Sequence, residues 1–203
     1  MISAELEGIS KAYHGKTILS DISFTGRSGD IIGLTGANGT GKTTLLKILS
    51  GVIRQDGGTF RLKGNVAYVP QDNTLFEDMT VMDNLHLAYS EGAAAYLKSD
   101  IQTGIIHEFG IDEYLKHRVG KLSGGTKKKL SIICALCRLG RDAEGNIKPG
   151  ILLLDEPGAS LDMTFKAEIC DYFKSFAEGG GLVLIASHEG CEIDICTRIV
   201  KLD

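Results

Sequence analysis

The apolar residues of this chain fall into two kinds of short run. Residues 4–9 and 18–24 show a rough alternation of apolar and polar positions, typical of strands with one face toward solvent. They predict an antiparallel sheet near the amino terminus. Residues 31–34, 151–154 and 182–186 are continuous apolar runs, as expected of parallel strands that helices cover on both faces. These runs predict a central sheet.

Helical patterns lie between the strand-like runs. One apolar stripe recurs at spacings of four, four and three, and it consists of Phe165, Ile169, Phe173 and Phe176. Thr80 is followed three residues later by Asp83, which approximates the capping box of a helix start. Residues 80–118 are mostly helical in pattern, so a helical lobe of about residues 80–140 is predicted between two strands of the core. Strand alternating with helix predicts an α/β fold with its ligand at the carboxyl ends of the strands.

Length and composition fit a single soluble domain across residues 1–203. Hydrophobic residues make up 43%, charged residues 24%, and the formal net charge is -4, all ordinary for a globular protein. This balance does not indicate a nucleic-acid binder, and no nucleic-acid partner is expected. The only dense basic run, Lys127, Lys128 and Lys129, is interpreted as a solvated helix face.

The cysteines point to a reducing compartment. There are five, an odd number, and no secretory leader precedes them, so a disulfide framework is not expected. Cys134 and Cys137 have C-x-x-C spacing, but no second pair lies at zinc-finger distance, and their neighbours look like a buried helix. Structural thiols are predicted. No apolar run approaches the roughly 18 residues that a membrane span needs, so any membrane role must come through a partner.

A glycine-rich segment predicts a phosphate site. Residues 36–43 read GANGTGKT, after the buried run 31–34 and before a helical stretch at 44–49. Glycines let backbone N–H groups turn inward toward an anion, and the helix amino terminus adds partial positive charge. Lys42 can reach the β- and γ-phosphates, and the Thr43 hydroxyl can join the coordination of Mg²⁺. The predicted nucleotide-binding residues here are Gly36, Ala37, Asn38, Gly39, Thr40, Gly41, Lys42, Thr43 and Thr44.

Two carboxylates stand where a buried strand ends. The run 151–154 leads directly into Asp155, Glu156 and Pro157. An isolated Asp-Glu-Pro would normally be a surface turn, but four preceding aliphatic residues favour a strand end. Asp155 is placed to hold Mg²⁺, and Glu156 to polarise the water that attacks the γ-phosphate.

A further motif, LSGGT at residues 122–126, follows the phosphate loop and precedes the acidic strand end. With it, the sequence resembles the nucleotide-binding domains of ABC ATPases over nearly its whole length. The resemblance implies an α/β fold: a P-loop NTPase core with a parallel central sheet, an amino-terminal antiparallel β subdomain and an inserted α-helical lobe. It also implies a head-to-tail dimer, in which Ser123, Gly124 and Gly125 contact the γ-phosphate of ATP bound by the other copy.

The remaining family positions match one at a time. The resemblance places Tyr13 against the adenine ring, and stacking tolerates Tyr well. It makes Gln71 the residue that senses Mg²⁺ and the attacking water, and His188 the one that contacts the γ-phosphate. Asp162 matches the loop that crosses to the opposite site. The catalytic residues implied are Glu156, His188, Gln71 and Lys42, and the Mg²⁺ ligands are Thr43, Gln71 and Asp155.

Three features depart from the family pattern. Thr126 stands where Gln is usual, so the start of that helix is expected to be oriented differently. Only 29 residues (71 minus 42) separate Lys42 from Gln71, a short span that is expected to trim the antiparallel sheet. The polar stretch at residues 140–150 resembles an insertion and is interpreted as an exposed loop.

The leading hypothesis is the ATPase subunit of an ABC transporter, which uses ATP and Mg²⁺. Its partners would be a second nucleotide-binding domain, in a homodimer or heterodimer, and a separate transmembrane permease that holds it at the cytoplasmic face of the cell membrane. The alternative is a soluble ABC ATPase acting on ribosomes or nucleic acid. Those ribosomal proteins usually carry two such domains in one chain, and DNA-repair members carry long coiled coils; this sequence shows neither. A P-loop GTPase would need an NKxD-type motif, which is absent.

Overall fold

The computed structural model describes residues 1–72, 74–89, 94–142, 145–188 and 190–202, without the side chains of residues 94 and 95. Parts of two predicted segments therefore lie outside the described residues, namely 90–93 of the helical lobe and 143–144 of the polar stretch. Contacts divide the chain into two units. Unit 1 comprises Met1–Gln71, Pro149–Gly158 and Met163–Asp203, and unit 2 comprises Asp72–Lys148 and Ala159–Asp162. One domain across residues 1–203 stays a prediction.

The described residues form strands and helices in the following order along the chain. The strands are β1 (Ser3–Tyr13), β2 (Lys16–Arg27), β3 (Ile31–Thr35), β4 (Gly57–Lys63), β5 (Val66–Val69), β6 (Ile151–Asp155), β7 (Leu182–Ala186) and β8 (Arg198–Lys201). The helices are α1 (Lys42–Leu49), α2 (Val81–Ala88), α3 (Ala94–Gln102), α4 (Ile105–Glu108), α5 (Gly124–Cys137), α6 (Met163–Glu178) and α7 (Gly190–Asp194). Short 3-10 turns occupy Asp112–Tyr114 and Val119–Lys121.

Unit 1 contains an antiparallel sheet with the strand order β2-β1-β4. Strand β1 pairs with β2 from Ser3 opposite Arg27 to Tyr13 opposite Lys16. The predicted amino-terminal sheet is therefore confirmed. Its third strand, β4, was not predicted, because the segment opens with two glycines and carries only two apolar side chains.

The second sheet of unit 1 is parallel throughout, in the order β5-β6-β7-β3-β8. Every residue of β6 and β7 is buried, as the continuous apolar runs predicted. Because the strands run in parallel, the carboxyl ends of β3, β5 and β6 meet at one edge of the sheet. The predicted α/β fold with a parallel central sheet is confirmed.

Helix α1 contributes its apolar side chains to the main core of unit 1. Leu45, Leu46 and Ile48 are fully buried and pack in one cluster with residues of β1, β3, β6 and β7. This helix begins directly after the glycine-rich segment, so the same core that buries it also holds the start of the helix in place. The position of the predicted phosphate loop is thus determined by packing behind it.

The apolar stripe of α6 is confirmed for three of its four residues. Phe165, Ile169 and Phe173 are buried, but Phe176 is partly exposed and Ala177 takes the next buried position. Ala177 lies four residues after Phe173, one helical turn further along the buried face. The Phe176 ring instead covers Gly181, where an added Cβ would lie 2.3 Å from Phe176 Cε1.

Unit 2 begins its helices where the sequence indicated. The Thr80 hydroxyl accepts a hydrogen bond from Asp83 N at 3.1 Å, and Asp83 Oδ2 accepts one from Thr80 N at 3.0 Å, so the capping box is confirmed. The segment 80–118, predicted to be mostly helical, contains the helices α2, α3 and α4. Buried Asn84 joins α2 to the preceding segment, since its amide donates to Phe76 O at 3.1 Å.

The interpretation of the basic run as a solvated face was wrong. Lys128 is only 2% exposed, and the Lys127 ammonium forms an ion pair with Glu77 at 2.6 Å. The reason is the packing of α5, which is apolar around most of its circumference after Lys128 and is buried from Leu130 to Cys137. A helix of this kind leaves little room for a lysine run to face solvent.

The cysteine predictions agree with the structure. Cys134 and Cys137 are buried on α5, and all five cysteines are free thiols. Burial raises the pKa of Cys134 to about 12 and that of Cys137 to about 11, so both remain protonated at neutral pH. In the described part of the chain, no three His, Cys, Asp or Glu side chains form a group able to hold a metal ion.

The polar stretch at 140–150 is not simply an exposed loop. An antiparallel bridge joins Arg141 to Ile147, and Asp142 Oδ1 accepts a hydrogen bond from Asn146 N at 2.8 Å. The Arg141 side chain, 9% exposed, pairs with the Asp100 carboxylate of α3 and also contacts the Tyr89 hydroxyl. The stretch was therefore mispredicted at Arg141, whose charge is compensated by a partner 41 residues away.

No helix in the residues that the structure describes has the length and apolar character needed to cross a lipid bilayer.

We expect Arg141→Ala to destabilise unit 2, because it leaves the buried Asp100 carboxylate without its cation. Breaking a buried pair in this way costs roughly 3–5 kcal/mol. The Lys174→Ala variant is the control, since its ion pair with Asp171 is exposed to solvent. Urea unfolding followed by circular dichroism should show a lower midpoint for Arg141→Ala only. Equal midpoints for the two variants would contradict the assignment.

Candidate functional site

The glycine-rich segment forms a tight turn between β3 and α1. Gly36, Gly39 and Gly41 have φ angles of 145°, 86° and 96°, which favour glycine over other residues. An added Cβ on Gly36 would lie 2.3 Å from Leu202 O, and one on Gly41 would lie 2.5 Å from Leu19 Cδ2. Two of the three glycines are thus required for space as well as for backbone conformation.

The amino terminus of α1 is open to a ligand. Its N-cap is Gly41, which has no side chain to accept a hydrogen bond from the first-turn N–H groups. These N–H groups and the helix dipole together favour an anion at this position. A phosphate group is therefore the ligand that this backbone fits.

Lys42 is the cation of the loop and is only 7% exposed. Its Nζ donates to Gly36 O at 2.8 Å and to Ala37 O at 3.0 Å. The ammonium therefore lies inside the curve of the loop rather than in solvent. Both acceptors are neutral carbonyl oxygens, so neither contact pairs the ammonium with a negative charge.

A hydroxyl and a carboxylate meet behind the loop. Thr43 Oγ1 donates to Asp155 Oδ1 at 3.1 Å, and Asp155 is 2% exposed. The Tyr68 hydroxyl lies 3.5 Å from Asp155 Oδ2, and burial together with the Asp155 charge raises the pKa of Tyr68. Sequence analysis did not single out Tyr68. Its place in β5, which pairs directly with β6, is the only signal that could have indicated it.

Gln71 and Glu156 form a second pair. Gln71 Nε2 donates to Glu156 Oε2 at 3.3 Å, although the two residues are 85 positions apart. Glu156 has a φ of 48°, a left-handed conformation that is unfavourable for a residue with a side chain. Its N–H donates a hydrogen bond to Ala186 O at 2.8 Å, so the neighbouring strand β7 stabilises this conformation.

One cleft of unit 1, with a volume of about 510 Å³, contains most of the predicted site. Its lining residues are Tyr13, Ile18, Asn38, Gly39, Gly41, Lys42, Thr43, Thr44, Gln71 and Glu156. Asp155 lies behind Thr43. His188 follows β7 as predicted, but it is exposed and is not among the residues lining the cleft. The cleft therefore brings together Tyr13, the phosphate loop and the polar side chains of Gln71 and Glu156.

The donor set of the cleft fits Mg²⁺. This ion prefers hard oxygen ligands and usually takes one or two carboxylates, with waters and substrate phosphates filling the other positions. Thr43 Oγ1 and Asp155 Oδ1 are such oxygens, already within hydrogen-bond distance of each other. Gln71, the third predicted ligand, lines the same cleft.

The LSGGT residues belong to unit 2 and form the start of α5. Ser123 is the N-cap, and its Oγ accepts a hydrogen bond from Thr126 N at 3.1 Å. The Thr126 hydroxyl also lies 2.8 Å from Ser123 Oγ. An added Cβ on Gly125 would lie 3.0 Å from Ser160 O, so the glycine permits close approach of the loop that carries exposed Asp162.

Comparison with known proteins gives a consistent result. A protein-family model with the description ABC transporter matches residues 19–159. The lipopolysaccharide export system ATP-binding protein LptB of Escherichia coli is 30% identical over 98% of this chain and 86% of its own. An uncharacterized ABC transporter ATP-binding protein of Methanocaldococcus jannaschii is 30% identical over 98% of this chain and 73% of its own. The linearmycin resistance ATP-binding protein LnrL of Bacillus subtilis is also 30% identical, over 98% and 66%.

A solved structure of an ABC transporter ATP-binding subunit superposes with a TM-score of 0.84. It is 24% identical in sequence and is matched over 98% of this chain and 85% of its own. At this identity the likeness supports the fold, and it agrees with the two sheets described above.

We expect Gly36→Ala to weaken nucleotide binding by at least about tenfold, because the added methyl group would overlap Leu202 O and force the loop to move. Gly51→Ala is the matched control. Its φ of 78° is also positive, but no atom lies within 4 Å of the added Cβ, and it is outside the loop. Calorimetric titration with ADP measures both. Undiminished affinity in Gly36→Ala would show that the loop does not bind the ligand.

Proposed function

The chain belongs to the ABC transporter family, and on that premise we propose that it is a Mg²⁺-dependent ATPase that drives a separate transmembrane partner. The observation that supports this most directly is the cleft of unit 1. It combines a glycine-rich turn, a buried lysine and two pairs of polar side chains at the carboxyl edge of a parallel sheet. Each of these groups has a role in phosphoryl transfer to water.

Binding begins with the loop. The backbone N–H groups at the start of α1 would bind the phosphates, and Lys42 would exchange its contacts with Gly36 O and Ala37 O for phosphate oxygens. Tyr13, which lines the same cleft and is 42% exposed, would stack on the adenine ring. Little covalent chemistry is required of the protein, so positioning and charge neutralisation provide most of the catalysis.

Thr43, Asp155 and Gln71 would hold Mg²⁺, which when bound neutralises charge on the phosphates. The Thr43 hydroxyl and the Asp155 carboxylate are already adjacent, and Tyr68 keeps Asp155 oriented from behind. Because Asp155 is buried, its charge is poorly screened by water.

Glu156 would polarise the attacking water. Gln71 donates to one oxygen of its carboxylate, which leaves the other oxygen to accept a hydrogen bond from water. The water oxygen would attack the γ-phosphorus and give a proton to Glu156, the bond between the γ-phosphorus and the bridging oxygen would break, and ADP and phosphate would leave. His188 would contact the γ-phosphate, although it does not line the cleft in this structure.

A complete site would require a second copy or a related domain. Ser123, Gly124 and Gly125 stand at the amino terminus of α5, a position suited to a phosphate group. In a head-to-tail dimer, they would contact the ATP bound by the partner, and Asp162 would lie on the crossing loop. Closure on ATP and reopening after hydrolysis would then transmit a conformational change through Gln71 to the permease.

The names of two relatives support a role in transport. These two are named for lipopolysaccharide export and for linearmycin resistance, and both are ATP-binding proteins. We infer that this chain likewise works at the cytoplasmic face of a membrane, bound to a permease that determines the cargo. Its own described residues provide no membrane-spanning helix.

The catalytic proposal is tested by Glu156→Gln. We expect steady-state ATP hydrolysis to fall by about 10²–10⁴-fold, the contribution of a general base, while ATP affinity is retained. Glu178→Gln is the control, because Glu178 is exposed at the end of α6. Phosphate release and equilibrium binding measure the two quantities separately. Normal turnover in Glu156→Gln would remove Glu156 from this role.

Lys42→Ala should instead weaken nucleotide binding by about tenfold or more, because the buried cation is lost. Lys63→Ala removes an exposed lysine of the same unit and should bind normally. Titration with a fluorescent ATP analogue compares the two variants. Equal affinities would contradict the assignment of the phosphate loop.

The transport role predicts that a gene beside this one encodes a membrane protein, and it is tested by coexpressing that protein with this chain. We expect the two chains to copurify in detergent and the ATPase rate to change when the complex is reconstituted in lipid vesicles. Purified ribosomes are the comparison. Stimulation by ribosomes with no effect of the membrane protein would favour the soluble alternative.

A further inference from the structure

Tyr13 lies at the tip of the hairpin formed by β1 and β2, and hydrogen bonds hold both edges of β1 close to this tip. Tyr13 pairs with Lys16 of β2 across a two-residue turn, His14 and Gly15, which both have positive φ. Strand β4 gives no such support on the other edge, because its last pair with β1 is Ser10 opposite Gly57. Residues 11–13 of β1 therefore extend beyond β4.

Asp56 takes the place of the missing strand. Its N–H donates to Ser10 O at 2.9 Å, and its carboxylate Oδ2 accepts a hydrogen bond from Ala12 N at 2.8 Å. Hydrogen bonds therefore continue along this edge of β1 as far as Ala12, the residue before Tyr13. A hairpin tip held on one edge alone would fray more readily.

The second oxygen of Asp56 connects to the Tyr13 ring through Lys11. Asp56 Oδ1 accepts a hydrogen bond from Lys11 Nζ at 2.6 Å, and that ammonium lies 5.4 Å from the centroid of the Tyr13 ring. At this distance the cation is attracted to the ring face. Lys11 is mostly buried, with 15% of its side chain exposed, so its position is restricted.

The hydrogen bonds of this arrangement also affect the ionisation of Asp56. The hydrogen bonds from Lys11 and from Ala12 N–H lower the pKa of Asp56 below its ordinary value. The carboxylate is therefore ionised, and it holds both the strand edge and the ammonium.

We propose that Asp56 is a positioning residue for the nucleotide base, because it orients Tyr13 at the mouth of the cleft through Ala12 and Lys11. The inference rests on the proposed function, in which Tyr13 stacks on the base. A ring held in its binding orientation before the ligand arrives loses less conformational freedom on binding. Asp56 itself is not among the residues lining the cleft, so it acts through Tyr13 rather than by contact with the ligand.

The experiment distinguishes binding of the base from binding of the phosphates. ATP and inorganic tripolyphosphate are titrated calorimetrically into the full chain and into Asp56→Ala, Asp56→Asn and Tyr13→Ala. We expect Asp56→Ala to weaken ATP binding by about threefold to tenfold, as Tyr13→Ala does, with tripolyphosphate binding unchanged. Asp56→Asn retains an acceptor for Ala12 N–H but loses the charge that holds Lys11, so its ATP affinity should fall by less. The KM for ATP should rise in Asp56→Ala while kcat is retained.

A spectroscopic measurement reports the ring directly. The chain contains no tryptophan, so Tyr13→Trp introduces a single indole at this position. Its fluorescence anisotropy should fall when Asp56→Ala is added, because the side chain gains freedom of motion. Asp171→Asn, an exposed aspartate on α6, is the control and should leave both the anisotropy and ATP affinity unchanged.

The outcomes are distinguishable. Equal weakening of ATP and tripolyphosphate in Asp56→Ala would show a general loss of structure and overturn the inference. Unchanged ATP affinity and unchanged anisotropy would also overturn it, while leaving the proposed ATPase intact. A wild-type chain that binds neither ATP nor tripolyphosphate would overturn the proposed function, and this inference with it.

Discussion

The hydrogen bond between Thr43 Oγ1 and Asp155 Oδ1 joins two segments that are 112 residues apart, and the site of unit 1 depends on it. The contact exists because β7 pairs with both β3 and β6, so the ends of these two strands stand two positions apart at one edge of the sheet. The loop that follows β3 then turns back over this edge. With a different strand order, the hydroxyl and the carboxylate would lie apart, and the proposed metal site would not form.

Around this contact, several polar side chains of the site are held by a second group. Tyr68 lies behind Asp155, Gln71 holds Glu156, and β7 bonds the strained backbone of Glu156. Lys42 is held by two carbonyls of its own loop. Such preorganisation reduces the rearrangement that remains when a ligand binds.

Two of the expected departures from the family pattern lie in unit 2, apart from the last two residues of the polar stretch. Thr126 places a hydroxyl next to Ser123 Oγ, where it bonds the N-cap of α5. The stretch at 140–150 carries Arg141 into the helices, where it neutralises Asp100. Neither feature changes the cleft of unit 1. Both stabilise the helical part of the chain, which in the proposed function communicates with partners.

Much of the site was predictable because its residues form continuous motifs. Residues 36–43, 122–126 and 155–157 are recognised within short windows, and the apolar runs before them indicate the strands that present them. Residues that act through distant partners were not predictable in this way. Tyr68, Asp56 and Lys128 look like an ordinary strand tyrosine, a turn aspartate and a surface lysine until the pairing of the strands and the burial of α5 are known.

The sequence by itself determined the class of fold and the family and predicted the phosphate loop, because periodicity and motif spacing are local properties of the chain. The tertiary structure decided which side chains support that loop: that Asp155 meets Thr43, that Gln71 meets Glu156, and that Asp56 fastens the hairpin of Tyr13. The physical reason is that a hydrogen bond between residues 44 to 112 positions apart depends on strand order and register, which no short window of sequence contains.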